Sequence, residues 1–210
     1  MSDTVIKLAE QSYLLKGVAQ PIAENLLTEI THITSLSPFR QMSTKSGYYV
    51  GAKMTNCGDL GWVSDHKGYR YTAIDPLTNM PWPSMPGLFE TLAEKYASLV
   101  GFHHFHPNAC LINQYAPGIG MGLHQDKDEN DYTQPIVSVS LGVSAIFQFG
   151  GNKRNEKPSY HLLNHGDIVI WGGLDRLRFH GIQPIKLAHH NLTGQLRYNL
   201  TFRDTGTIID

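Results

Sequence analysis

The sequence predicts an α+β fold that is mainly β, with N-terminal helices followed by a series of short strands. Apolar residues recur at helical spacing in two early segments. From residue 110 onward the pattern changes to short β-type runs separated by turn residues. Several short strands at such spacing indicate a sandwich or a barrel, and a double-stranded β-helix (jelly roll) is one way to close them.

The two predicted helices occupy residues 21–36 and 86–100. Both segments have apolar residues about four positions apart, which places them on one core-facing side. Pro21 suits the first turn of a helix, and Gly101 suits the left-handed residue that often follows one. We therefore expect two amphipathic helices that pack against the strands.

The strands are predicted from β-type runs that end at Gly, Asn or Asp. Residues 42–83, between the helices, are rich in Gly, Tyr and Trp, and we expect two strands with long loops there. In the second half, the clearest runs are 136–141, 145–149, 168–171 and 196–202. No repeat or linker is evident, so we predict a single domain, 1–210.

Composition narrows the class of protein. The 210 residues have a net charge of −1, so an overall basic field for nucleic acid is absent. Cys57 and Cys110 are too few for a disulfide framework, and we expect them to be small buried residues. No signal-peptide pattern and no run of roughly 18 apolar residues is seen. We expect a cytoplasmic monomer without a membrane segment.

Three residues form a candidate metal site. His124 and Asp126 are two positions apart, so an extended backbone points both side chains to one side. His180 follows 54 residues later, where the chain can fold back. Two imidazoles and one carboxylate on one face of an octahedron are typical of non-haem Fe(II) oxygenases. His-x-Asp pairs also occur by chance, so the pair alone is weak evidence.

The segment 197–203 alternates polar and apolar residues. Its polar face contains Arg197, Asn199 and Arg203, and either water or the interior of the barrel can receive that face. Two buried arginines require anions, and a dicarboxylate would supply them through bidentate pairing. Asn113 and Tyr115 share a face by the same spacing and could add neutral hydrogen bonds.

Longer motifs point to a family. They include Met54 to Gly58, Leu111 to Pro117, His124 to Glu129, Trp171 to Gly173 and Arg197 to Arg203. With these motifs the chain resembles the AlkB family of Fe(II)/2-oxoglutarate dioxygenases, which repair alkylated nucleic acids, over residues 37–203. The resemblance implies a jelly-roll catalytic core at 107–204, a nucleotide-recognition lid at 37–84 and an N-terminal extension at 1–36.

The resemblance also implies roles for individual residues. Fe(II) would be held by His124, Asp126 and His180. The co-substrate 2-oxoglutarate would be held by Asn113, Tyr115, Arg197, Asn199 and Arg203, with the pairing of arginines and carboxylates left open. The alkylated base and its strand would be contacted by Trp62, Tyr69, Arg70, Tyr71, Asp128 and Arg154.

The implied reaction is oxidative dealkylation of bases such as 1-methyladenine and 3-methylcytosine. It uses O2 and 2-oxoglutarate and releases formaldehyde, succinate and CO2. The substrate is single- or double-stranded DNA, with RNA as an open alternative. These bases are cationic, so an indole face at Trp62 and a carboxylate at Asp128 suit them. The alternative for Trp62 is a core residue, although its Gly- and Asn-rich setting argues against deep burial. Without the resemblance, Asp128 is interpreted as a solvated acid. Arg154 is either a surface charge or a phosphate contact.

Two other functions remain. The same metal and co-substrate residues would serve a hydroxylase that acts on a protein side chain or a small molecule. The second alternative is a metal-binding jelly roll that only senses a ligand, and the intact triad and both arginines count against it.

The segment 103–106, with three histidines, is interpreted as a loop at a helix end.

Overall fold

The computed structural model describes residues 5–206. Within that range the chain forms two α-helices, α1 (Ala23–Leu36) and α2 (Gly87–Leu99), and fourteen strands. The strands are β1 (Val5–Ala9), β2 (Ser12–Leu15), β3 (Arg40–Ser43), β4 (Tyr49–Gly58), β5 (Gly61–Asp65), β6 (Gly68–Thr72), β7 (Ala109–Tyr115), β8 (Met121–His124), β9 (Ile136–Gly142), β10 (Ala145–Phe149), β11 (Ser159–Leu163), β12 (Ile168–Trp171), β13 (His180–Ile182) and β14 (Arg197–Arg203).

The strands form two main antiparallel sheets and a separate hairpin. The large sheet has the order β1-β2-β12-β9-β14-β7-β4-β3, and the small sheet has the order β11-β10-β13-β8. Strands β5 and β6 pair only with each other. Strand β14 lies between β7 and β9 along its whole length, so its backbone is fixed on both sides. The predicted jelly-roll fold class is confirmed.

Apolar side chains cover both faces of the large sheet. Leu26 of α1 and Phe89 of α2 belong to the cluster that includes Leu200 and Phe202 of β14. Burial of each such side chain stabilises the fold by about 1.5–3 kcal/mol. A second cluster joins the opposite face to the small sheet, where Phe147 packs on Trp171. The helices therefore lie outside the large sheet, and the space between the sheets is left for the site.

The structure refines several predicted bounds. Residues Gln20–Ile22 form a 3-10 turn ahead of α1, and Pro21 lies in it. Gly101 has a φ of +102°, the left-handed conformation expected just after α2. The predicted lid range 37–84 contains β3 and β4, which extend the large sheet. Strands β5 and β6 pair only with each other, and hydrogen bonds between Asn56 and Trp62 join β5 to β4. The domain division itself stays a prediction.

The N-terminal hairpin was not predicted from the sequence. Strands β1 and β2 complete one edge of the large sheet, and β2 pairs with β12. Among residues 5–206, no helix is both long and apolar enough to cross a membrane.

Candidate metal centre and cavity

Neighbouring strands bring the three candidate metal ligands together. His124 ends β8 and His180 begins β13, and the two residues are partners across these strands. Asp126 follows two residues after β8. Nε2 of His124 lies 3.5 Å from one Asp126 carboxylate oxygen, and Nε2 of His180 lies 3.7 Å from the other. One candidate ligand atom from each residue lies within 4.8 Å of the other two, a spacing that suits a shared ion.

Backbone carbonyls orient both imidazoles. Nδ1 of His124 is 2.9 Å from the Gly122 carbonyl oxygen, and Nδ1 of His180 is 3.0 Å from that of Arg178. A carbonyl only accepts, so each ring donates from Nδ1 and its Nε2 lone pair remains for a metal. Burial lowers the pKa of His180 to about 3, which keeps this ring in the neutral form that metals bind.

The Asp126 carboxylate has a cationic partner. Arg203 donates from Nη2 to Asp126 Oδ2 at 2.6 Å. Burial by itself would raise the pKa of Asp126, but the charges of Arg203 and the two triad histidines hold it well below its usual value. Asp126 is therefore ionised throughout the neutral range, as a metal ligand must be.

Arg197 is placed differently from Arg203. It is 1% exposed, and its Nη2 donates to Ser140 Oγ at 2.9 Å while its Nε has no partner. Among residues 5–206, no carboxylate oxygen lies within 4.0 Å of its guanidinium. Burial lowers the pKa of Arg197. A buried cation without an anion is costly, so this guanidinium fits an anionic ligand such as a carboxylate of 2-oxoglutarate.

Other polar groups surround the same point. Asn113 Oδ1 is buried without a partner, and the Tyr115 ring lies 5.5 Å from the Arg197 guanidinium carbon. Asn199, by contrast, donates to Ser138 Oγ at 2.8 Å. We call Asn113, Ser140 and Arg197 the inner end of the site; Asn113 lines the cavity over the triad, whereas Ser140 and Arg197 are not among the residues that line it. Its unpaired donor and acceptor are what a polar co-substrate would satisfy.

A cavity of about 440 Å³ lies over the triad. Trp62, Tyr69, Asp128 and Arg154 line it, and we call the first three of these the mouth. Trp62 donates from its indole nitrogen to Asp128 Oδ2 at 2.8 Å. Its ring stacks on Tyr69 with centroids 5.5 Å apart. The mouth thus presents a flat aromatic surface beside an exposed carboxylate.

The structure places two residues of the predicted substrate set elsewhere. Arg70 pairs with Asp65 within the β5–β6 hairpin, with nitrogen–oxygen distances of 2.9 and 2.8 Å, and does not line the cavity. Tyr71 donates its hydroxyl to Glu129 at 2.6 Å and does not line it either. A substrate contact by either residue stays a prediction.

Sequence reasoning missed residues that support the site. Glu129 and Arg176 are buried and pair at 3.0 Å, and Arg176 also donates to the Asp126 carbonyl oxygen at 2.8 Å. Trp171 packs on His180 with ring centroids 4.7 Å apart. Glu129 lies in an acidic stretch that resembles a solvated loop, and no sequence signal distinguishes it from Asp128. Arg176 has no local motif, although its position four residues before His180 could have drawn attention.

The family model described as the 2OG-Fe(II) oxygenase superfamily matches residues 11–203. The chain belongs to this superfamily. It is therefore an Fe(II)- and 2-oxoglutarate-dependent dioxygenase, and the triad geometry agrees with an iron site. The relatives that the chain is similar to include alpha-ketoglutarate-dependent dioxygenases of the AlkB type.

Three relatives and one solved structure define the resemblance more closely. The chain is 54% identical to alpha-ketoglutarate-dependent dioxygenase AlkB of Escherichia coli, covering 95% of this chain and 92% of that protein. It is 40% identical to the AlkB homolog of Caulobacter vibrioides, covering 81% and 76%. It is 36% identical to human nucleic acid dioxygenase ALKBH1, covering 60% and 32%. The solved structure of OsALKBH1 matches with a TM-score of 0.83 at 28% identity, covering 95% of this chain and 99% of that one.

A more distant structure shows the fold alone. A Pseudomonas putida prolyl-4-hydroxylase matches with a TM-score of 0.56 at 12% identity, covering 93% of this chain and 94% of that one. The shared fold therefore does not identify the substrate. By identity and coverage, this dioxygenase belongs to the AlkB family within the superfamily.

Proposed function

We propose that this dioxygenase oxidatively dealkylates N-alkylated bases in DNA, of the 1-methyladenine and 3-methylcytosine type, with RNA as a further substrate. The names of its relatives support a nucleic-acid substrate: the human protein is a nucleic acid dioxygenase, and a Schizosaccharomyces pombe relative at 31% identity is a tRNA demethylase. The proposal also includes the finer expectations that the protein acts as a monomer in the cytoplasm.

The observation that supports this substrate best is the mouth of the cavity. Trp62 offers a ring face for stacking, worth about 1–3 kcal/mol per base. Asp128 lies within hydrogen-bond distance of that indole, so a base on Trp62 would also be close to a negative charge. Methylation at N1 of adenine or N3 of cytosine makes the base cationic. An aromatic face and a carboxylate together favour such a base over an unmodified one.

Different residues would hold the metal and the co-substrate. His124, Asp126 and His180 would hold Fe(II), and Arg197 with Asn113 would orient 2-oxoglutarate through their unpaired groups. When bound, iron and 2-oxoglutarate use O2 to hydroxylate the alkyl carbon, while 2-oxoglutarate becomes succinate and CO2. The hydroxylated N-methyl group then leaves as formaldehyde. The protein supplies position and fixed charges.

The test is an incubation of the purified protein with Fe(II), 2-oxoglutarate, O2 and a single-stranded oligonucleotide that carries 1-methyladenine. We expect loss of one methyl group and release of one succinate for each base repaired, by mass spectrometry. His180→Ala, which removes one ligand, should abolish both products. Succinate formation with the methyl group retained would contradict the proposed substrate and would favour a hydroxylase of protein side chains or small molecules.

A further inference from the structure

A cluster of four buried charges lies beside the metal site. Arg203 contacts Asp126 at 2.6 Å and Glu129 at 3.2 Å, and Arg176 contacts Glu129 at 3.0 Å. The four side chains are at most 10% exposed. Two cations and two anions balance within the cluster, which is how buried charges are tolerated. Glu129 is the member whose side-chain carboxylate contacts both arginines.

Tyr71 connects this cluster to the β5–β6 hairpin. Its hydroxyl donates to Glu129 Oε1 at 2.6 Å, and the same oxygen lies 3.2 Å from Arg203 Nε. The hairpin shares no strand pairing with either main sheet. A continuous chain of polar contacts therefore runs from β6 through Glu129 and Arg203 to the carboxylate of Asp126.

This chain of contacts affects how strongly the Asp126 carboxylate can bind a metal ion. Arg203 already takes one Asp126 oxygen, and its positive charge opposes a metal ion at the same carboxylate. The negative charge of Glu129, 3.2 Å from Arg203 Nε, offsets that repulsion. Groups that orient a ligating carboxylate in this way commonly change metal affinity by about 10- to 100-fold when altered.

We propose that Glu129 and Tyr71 are positioning residues for the metal site, acting through Arg203 to set the orientation and charge of Asp126. This role rests on the proposed assignment of Asp126 as a metal ligand. It differs from the substrate contact expected for Tyr71 from the sequence. It also makes the hairpin that carries Trp62 part of the metal site's support.

The test measures Mn(II) affinity, because Mn(II) accepts nitrogen and oxygen donors and is stable in air. Glu129→Gln removes the charge with little change in shape, and should weaken Mn(II) binding about 10-fold or more. Tyr71→Phe removes one hydrogen bond and should weaken it by a smaller factor, about 2- to 5-fold. Tyr48→Phe is the matched control, since Tyr48 is 76% exposed, and it should bind Mn(II) like the unaltered protein.

Thermal unfolding of each metal-free variant separates positioning from a purely structural role. A structural role would lower the unfolding midpoint and leave the Mn(II) dissociation constant unchanged, which would overturn the proposal. If Glu129→Gln does not fold, Tyr71→Phe decides: the proposal is lost if its affinity equals that of the control. His180→Ala is included because retained Mn(II) binding in that variant would refute the metal-site assignment itself, a separate failure.

Discussion

The inner end and the mouth of the site are built in opposite ways. The inner end comes from adjacent strands β7, β9 and β14 of the large sheet, and Arg197 there is fully enclosed. The mouth comes from the separate β5–β6 hairpin and the segment after β8, and its Tyr69 is 55% exposed. A rigid site suits 2-oxoglutarate, because this small co-substrate is the same in every turnover. A base on a long strand must enter and leave, which suits exposed residues on a separate hairpin.

The largest expected effect is at the inner end. Arg197→Met should weaken 2-oxoglutarate binding by about 100-fold or more, because it removes a buried charge-assisted contact. The metal-free protein should be no less stable than the unaltered protein, because methionine removes an unpaired buried cation. Titration with 2-oxoglutarate and chemical unfolding measure the two effects. A loss of more than about 2 kcal/mol in stability would show that Arg197 is paired within the protein.

Arg203 lies on the same strand as Arg197 and serves as its matched comparison. Arg203→Met should lower the free energy of unfolding by about 3–5 kcal/mol, because Asp126 and Glu129 lose a buried cation. Urea unfolding of the metal-free protein provides the value. If the two arginine variants changed stability equally, the contrast between an unpaired and a paired guanidinium would be wrong. The same variant, titrated with 2-oxoglutarate, tests the co-substrate role that the resemblance implies for Arg203.

At the mouth, Trp62→Ala should raise the KM for an alkylated oligonucleotide about 10- to 100-fold, which corresponds to one lost stacking contact. The KM for 2-oxoglutarate should not change, because the inner end is untouched. Trp62→Phe keeps a ring and should retain most of the affinity. An equal rise in both KM values would show that the two ends are not separate.

The smallest predicted effect concerns charge at Asp128. Asp128→Asn keeps an acceptor for the Trp62 indole N–H but loses the negative charge. Activity on a cationic base should fall about 3- to 10-fold, a Coulomb effect of about 1 kcal/mol in a partly exposed site. Activity on a neutral alkylated base should hardly change. Asp128→Ala loses the hydrogen bond to Trp62 as well as the charge, and serves for comparison. An equal loss of activity on both bases in Asp128→Asn would contradict the electrostatic argument.

Local spacing predicted the framework of the site well. The alternation of 197–203 placed Arg197 and Arg203 on one face, and in the structure that face is turned away from the helices. The spacing of His124 and Asp126 likewise brought both residues to one point with His180. The alternation of 197–203 depends on the period of a strand, which is readable from a few consecutive residues. Asp126 lies two residues beyond the end of β8, so the strand period does not explain its place.

Partner choice could not be predicted in the same way. Arg197 and Arg203 share a strand and a face, yet only Arg203 meets carboxylates, because β14 places its end beside the segment that carries Asp126 and Glu129. Tyr69 and Tyr71 also share a spacing, but one lines the cavity and the other contacts Glu129. Such pairings join segments distant in sequence, and no local pattern encodes them.

The most direct test of the division between the two ends compares succinate formed with methyl groups removed in Trp62→Ala. With the 1-methyladenine oligonucleotide, the unaltered protein should give one succinate for each methyl group removed. The variant should keep the slow succinate formation that we expect without a nucleic acid and should lose methyl removal at low substrate concentration. If Trp62→Ala instead lost substrate-free succinate formation to the same degree as methyl removal, the co-substrate site would depend on the mouth and the account would be contradicted.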